Sequence, residues 1–344
     1  MMKNKKIELG FMRHNLSMPH KSQELVDYAI QSGNPYFETC YFYMDYKCEE
    51  FIYSLLTSYQ RSKYQLCGKL PIHSVKSKED FSNILEEQFN RVPGNYFDDY
   101  VIQAADEECS IILYEQKVIP HLLKLKRHGK IKRLGLSIQC TPEEFKNYLK
   151  LECWDFIQMP LNYFDWFLCR GKELYELACN YDLPIIAQAP LKGGLLAKFK
   201  IANAIPAAYS FIANLPNVEK VLLGTTSVNH YKEAENWINS ELNNYEYDKI
   251  ISEYLKSSYI KCIGCNRCVD TCKLNIPIKS LFKMYNMLVT EPAEYYNTVF
   301  NCYNLLNYNN FSAMCNNCNQ CIDACPVNLN IPKLLRTTIW EIRT

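Results

Sequence analysis

Two runs of cysteine near the end of the chain constrain it more than any other feature: Cys262, Cys265, Cys268 and Cys272, then Cys315, Cys318, Cys321 and Cys325. Each run has the spacing C-x2-C-x2-C-x3-C. Three thiolates so spaced fit on one tight loop around an iron-sulfur cubane, and the fourth crosses to a second cubane. The expected ligand sets are therefore Cys262, Cys265, Cys268 and Cys325 for cluster one, and Cys315, Cys318, Cys321 and Cys272 for cluster two. The alternatives are zinc or disulfides. Zinc sites typically draw on two C-x2-C pairs set well apart, and extracellular disulfides come with an export signal, so the spacing favours two [4Fe-4S] clusters.

The flanks of the runs repeat as well. CNRCVDTCKLNIPIKSL and CNQCIDACPVNLNIPKLL are copies of one pattern, and in this the segment resembles the pseudo-two-fold bacterial ferredoxins. Pro326 follows the last cysteine of the second run as it does in those proteins; Lys273 stands at the equivalent place in the first.

A chain of 344 residues with 48% hydrophobic content can bury a large core, and its length suits one big domain and a small one. Lys and Arg total 38 against 37 Asp and Glu, a balance that gives no reason to expect a nucleic-acid or membrane partner. The opening MMKNKKIELG is basic but no apolar core of a signal peptide follows, and no apolar run is long enough to span a bilayer. A cytoplasmic location is expected. The other nine cysteines, Cys40, Cys48, Cys67, Cys109, Cys140, Cys153, Cys169, Cys179 and Cys302, then read as reduced thiols, many of them buried.

Up to about residue 240, short apolar runs alternate with longer amphipathic ones, the pattern of a parallel sheet covered by helices. Strands are expected at Ile7 to Leu9, Tyr36 to Glu38, Tyr64 to Gly68, Tyr100 to Gln103, Leu134 to Ser137, Trp154 to Gln158, Pro184 to Gln188 and Lys220 to Leu223. Eight of them predict an α/β fold, a closed (β/α)8 TIM barrel, over residues 1–242. Residues 243–344 then form a linker helix and the small two-cluster domain. Thr141-Pro142-Glu143-Glu144 reads as a capping box, Ser77 to Asp80 as a similar start before Phe81, Ile84, Leu85 and Phe89, and Gly129 as a cap after Leu122 and Leu125. Asn243 to Tyr259 reads as helical. The spacer from Lys273 to Met314, with a helix-like segment from Ile278 to Leu288, is too poor in apolar residues to fold alone and is expected to pack on the barrel or a partner.

A barrel enzyme collects its working residues from the C-terminal ends of its strands. Those ends bring Glu38, Tyr43 five residues on, Lys69 and Gln103. His73 lies just past the third strand; His14, His20, His121, His128 and His230 read as loop or helix-surface residues. Arg13 follows the first strand, where it could meet an anionic substrate or form an ordinary ion pair.

At this point the chain resembles the aldo-keto reductases, specifically a bacterial branch with a ferredoxin-like tail. The resemblance rests on LGFMR (9–13), YFETCYFY (36–43), CGKLP (67–71), HGKIKRLGLS (128–137), NYFD (162–165), APLKGGLLA (189–197) and LLGTTS (222–227), beside the cysteine runs. It implies that Tyr43 is the proton donor to a substrate carbonyl while NAD(P)H delivers hydride, and that the charge of Lys69 lowers the phenol's pKa. Glu38 stands where the family has aspartate and Gln103 where it has histidine. An amide can hydrogen-bond a carbonyl oxygen but cannot relay a proton.

The resemblance also implies cofactor contacts: Ser137, Gln158 and Gln188 at the nicotinamide, Leu191, Gly193 and Gly194 beside the pyrophosphate, and Gly224, Thr225, Thr226, Ser227 and Glu233 at the adenosine end. No arginine stands at the positions that usually grip a 2′-phosphate, so NADP is not distinguished from NAD. The glycines also read simply as tight βα turns.

The leading reading is an oxidoreductase acting on a small-molecule carbonyl or alcohol with NAD(P)(H), its two [4Fe-4S] clusters serving an external electron-transfer partner or the fold. The alternatives are an electron-transfer or redox-sensing protein with a catalytically altered barrel, and a lyase or epimerase that uses bound nicotinamide transiently.

Overall fold

The computed structural model describes residues 6–336, apart from residues 13, 15, 34–35, 106, 199–200, 240–244, 255–258, 263 and 291–314. Arg13 and Cys302 lie outside the described residues, as do parts of the 243–259 segment and of the spacer. Eight parallel strands close on themselves in sequence order: β1 (Lys6–Gly10), β2 (Tyr36–Glu38), β3 (Gln65–Leu70), β4 (Phe97–Ala105), β5 (Ile131–Ile138), β6 (Phe156–Pro160), β7 (Ile185–Gln188) and β8 (Val218–Leu223), with β8 returning to pair with β1. All eight expected strands are found, displaced by a few residues at most at their starts and ends.

The helix signals act as their chemistry requires. Ser77 accepts from the Asp80 N–H at the head of helix Lys78–Arg91, which buries Phe81, Ile84 and Leu85. Thr141 and Glu144 exchange both bonds of a capping box, and Gly129 takes the left-handed φ of 71° that a side chain would resist.

Period-two alternation sorts the inward residues of the strands into layers. Tyr36, Cys67, Val101, Phe156, Ile186 and Leu222 form an apolar layer across the barrel interior. Two residues towards the N-terminal ends lie Asp99, Arg133 and Lys220: Arg133 forks onto Asp99 and reaches Glu219, Tyr36 donates to Asp99 at 2.9 Å, and Lys220 stands 3.9 Å over the Tyr36 ring. This network seals the bottom. Two residues in the other direction lie Glu38, Lys69, Gln103, Ser137, Gln158 and Gln188, the polar mouth. A second, smaller core unites Ile260, Ile276, Ile278, Leu281, Phe282, Ile331 and Leu335 with the cysteine runs. Among the described residues no helix is long and apolar enough to cross a membrane.

Candidate active site and cluster-binding segment

At the mouth, Lys69 and Glu38 form an ion pair on adjacent strands, both buried. The same ammonium donates to the Tyr43 hydroxyl at 3.4 Å. Burial opposes the charge on Lys69, but the Glu38 carboxylate outweighs it and the lysine's pKa is raised, so it stays an ammonium. Glu38 is one methylene longer than aspartate, and the chain makes room for it. A Cβ on Gly10 would stand 2.9 Å from Glu38 Oε2, closer than real contacts allow.

Tyr43 is carried by an unusual turn. Its N–H donates to the Cys40 carbonyl at 3.1 Å, and Met44, Asp45 and Tyr46 all take positive φ. Gln103 is buried, and its carboxamide oxygen accepts from the Cys40 thiol, which also faces the Lys69 carbonyl. Cys40 thus touches three of the four expected catalytic positions. The sequence reading missed it, although it sits inside YFETCYFY, because a small thiol between Glu38 and Tyr43 gives no signal by itself.

The nicotinamide-side candidates come together. Gln188 donates to Gln158 Oε1 at 2.6 Å and its own oxygen accepts from Ser137 at 3.5 Å. Leu191, Gly193 and Gly194 form the turn after β7, in which Gly193 and Gly194 take φ of 66° and 95°. After β8, Thr225 Oγ1 accepts from the Ser227 N–H at 3.1 Å and Ser227 caps the helix Val228–Asn239 by accepting from His230 N–H. Gly224 and Glu233 are exposed and Thr226 is half-buried. Glu233, on that helix, is the candidate least drawn into the mouth.

The histidines separate. His20, His121, His128 and His230 lie on the surface as expected, but His14 is buried, stacked on Phe11 at 4.0 Å with Nδ1 2.8 Å from Ser22 Oγ. Burial draws its pKa down to about 4 against an opposing backbone contact from Thr225, so it is a neutral core residue. His14 is a loop residue, as read, and its role is structural: the ring fills space under the β8 loop. His73 faces the buried Cys109 at 3.5 Å.

Beyond the barrel in the chain, the eight run cysteines segregate into two sets. Cys262, Cys265, Cys268 and Cys325 line one cavity; Cys272, Cys315, Cys318 and Cys321 line another. This is the crossed arrangement expected from the spacing. Each run folds alike: Asn266 and Asn319 take φ of 64° and 63° before one-turn helices Arg267–Asp270 and Gln320–Asp323, and Asn275 and Asn328, three residues after each fourth cysteine, take φ of 51° and 53°.

Backbone N–H groups of Gly264 and Leu329 donate to the sulfurs of Cys262 and Cys325, the kind of bond that holds a thiolate. Among the described residues no three His, Cys, Asp or Glu side chains converge on a single-ion point. Four thiols spread around a volume suit a cubane better than zinc, so the residues fit the group. The remaining described cysteines form no disulfide, and Cys40, Cys48, Cys67 and Cys109 are buried.

The comparisons agree with this geometry. The aldo/keto reductase family profile matches residues 6–207, and a 4Fe-4S binding domain profile matches residues 261–285 and 312–328. An aldo-keto reductase from Bacillus halodurans in its holo form shares 19% identity over 72% of this chain and 91% of its own, with a TM-score of 0.58. One from Klebsiella pneumoniae in complex with NADPH shares 20% over 76% of this chain and 99% of its own, at 0.57. A further structure from that organism, with NADP and acetate, shares 21% over 72% and 90%, also at 0.57. No curated protein sequence matches the chain. Likeness at this identity carries the (β/α)8 fold alone, while the profile covers more than half the sequence. The chain belongs to the aldo/keto reductase family and ends in a 4Fe-4S binding domain.

Proposed function

We propose that the protein is an NAD(P)(H)-dependent oxidoreductase that interconverts a small-molecule carbonyl and its alcohol, with residues 1–242 as the catalytic barrel and 243–344 carrying two [4Fe-4S] clusters. The observation that carries the reading is the buried Glu38, Lys69 and Tyr43 set at the C-terminal ends of β2 and β3.

A bound reduced nicotinamide supplies hydride to the substrate carbon. The chain's own work is proton handling. Glu38 holds the Lys69 ammonium beside the Tyr43 oxygen, which favours the phenolate left when Tyr43 gives its proton to the carbonyl oxygen. Gln103, its carboxamide oxygen engaged by Cys40, has its Nε2 hydrogens left to donate to that same oxygen as charge develops there.

Gln158, Gln188 and Ser137 offer a hydrogen-bonding patch suited to a carboxamide, and the glycines after β7 let a diphosphate approach the backbone. Leu191, Gly224, Thr225, Thr226, Ser227 and Glu233 would complete the dinucleotide's path. Cluster one would be held by Cys262, Cys265, Cys268 and Cys325, and cluster two by Cys272, Cys315, Cys318 and Cys321; they suit one-electron exchange with an external partner.

Anaerobically reconstituted protein tests this: NADPH binding read by fluorescence, then its oxidation with a panel of aldehydes, ketones and keto sugars. Turnover of any of them is expected. Binding without turnover would favour an altered barrel instead, to which the Gln103 position lends itself.

A further inference from the structure

The loop after β7 has two faces. Along one run Gly193 and Gly194. The backbone at Ala189 and Lys192 is also left-handed, with φ of 47° and 48°, and residues bearing a Cβ hold that conformation only when neighbours over-determine it. The restraint comes from the other face. Lys192 Nζ pairs with Asp165, lies 5.5 Å from the centre of the Phe164 ring and meets the Tyr259 phenol. Asp165 is fixed in turn by Asn162, whose amide donates to Asp165 Oδ2 at 2.8 Å and to the Ala189 carbonyl at 3.1 Å, back at the start of the same loop.

Tyr259 belongs to the later part of the chain and packs against the barrel core. Its ring packs edge-on against Phe164 at 5.4 Å; the next residue, Ile260, is buried in the smaller core, and Cys262 follows two residues later. The helix Ile278–Thr290 packs on Lys192–Gly194, and Lys283 donates to Gln139, just past β5, at 2.7 Å. Cys169, after β6, shares an electrostatic neighbourhood with Asp165, Lys192 and Cys262. The half-buried ammonium of the β7 loop therefore stands against the segment that leads into the first cysteine run.

We infer that Lys192 and Tyr259 form a positioning contact through which the redox state of cluster one sets the affinity of the β7 loop for its dinucleotide. The inference rests on the reading of the barrel as a nicotinamide site and of Cys262 as a cluster ligand. Reduction adds one negative charge beside Cys262. That charge acts on a nearby, only half-exposed ammonium, drawing Lys192 towards the segment that carries Cys262 and away from the Asp165 pairing that holds the loop. Coupling of this kind is reciprocal: if reduction weakens dinucleotide binding, the dinucleotide makes cluster one harder to reduce.

The test uses the full, reconstituted chain. NADPH affinity is read by fluorescence with the clusters oxidised and then reduced by dithionite and desalted. Wild type is expected to bind about fivefold more weakly when reduced. By linkage this corresponds to a shift of about 40 mV in the cluster-one potential, read by EPR-monitored titration with and without NADPH. In Tyr259→Phe, which keeps the ring on Phe164, and in Lys192→Gln, the ratio is expected to fall below about twofold. Equal affinity in the two states of the wild type, or a ratio that survives in either variant, would overturn the inference. Failure to bind NADPH in either state would overturn the nicotinamide reading along with it, whereas equal and measurable binding would leave that reading standing.

Discussion

The Cys40 thiol donates to the carboxamide oxygen of Gln103 in a space closed to solvent. The amide is thus oriented by a residue two positions beyond Glu38 and three before Tyr43, so the catalytic turn and β4 are tied together. Replacing Gln103 with alanine should lower kcat/KM for a reducible aldehyde by about 10²-fold while leaving NADPH affinity within about twofold. Gln103→His should raise turnover of generic carbonyls. Steady-state kinetics decide, and no gain would show that Gln103 is not what limits the chemistry.

Tyr43→Phe removes the only hydroxyl that receives the Lys69 contact among the described residues. Turnover should fall by about 10²-fold or more, with nicotinamide affinity nearly intact. Undiminished activity would refute the proton-donor role.

Gly10 and Glu38 are matched in size. Gly10→Ala places a methyl group against the Glu38 carboxylate and should cost about 1–3 kcal/mol of stability as well as activity. Glu38→Asp shortens the acid and vacates that space, so the double variant Gly10→Ala/Glu38→Asp should recover more activity than Gly10→Ala alone. Losses that simply add would mean that the two positions are independent.

Two buried groups pull the pH dependence of stability in opposite directions. Burial pushes Glu49 up to about 7, in spite of Gln88 and Arg91, from an ordinary value of 4.5. Between those values the folded state binds more protons than the unfolded one, so this group's contribution falls as pH rises. His14 is drawn down to about 4 from 6.5, so between those values the unfolded state binds more protons and its contribution is lost as pH falls. Each slope approaches about 1.4 kcal/mol per pH unit. Urea midpoints from about pH 5 to about pH 6.5 should therefore rise with pH in Glu49→Gln and fall with pH in His14→Asn relative to wild type. Curves parallel to wild type in both variants would count against these shifts.

The crossed thiolates make an unusual demand on iron content. On the proposed ligand sets, Cys325→Ser should damage the cluster whose other three ligands would lie more than fifty residues earlier, and Cys272→Ser the one that the second run would hold. Iron per chain should drop from about eight towards four in each, with different EPR signals surviving. Loss of the same signal in both would contradict the ligand sets.

The strands, the helix caps and the cysteine pairing were legible because each rests on local chemistry. The strand ends brought Glu38, Lys69 and Gln103, the family resemblance brought Ser137, Gln158 and Gln188, and the spacing of each run assigned its fourth cysteine to the other set, as the two cavities group them. Cys40, Gly10, Lys192 and the burial of His14 were not legible. Their roles depend on which atoms meet across the barrel mouth: Cys40 matters because β4 brings Gln103 to it, Gly10 because β2 leans Glu38 over it, and Lys192 because the chain returns with Tyr259 after eight strands have closed. Sequence alone determined the inventory of chemical groups and the strand ends that bear them. The closure of the barrel decided which became neighbours, since contacts between residues far apart in the chain exist only once the sheet has joined its first strand to its last.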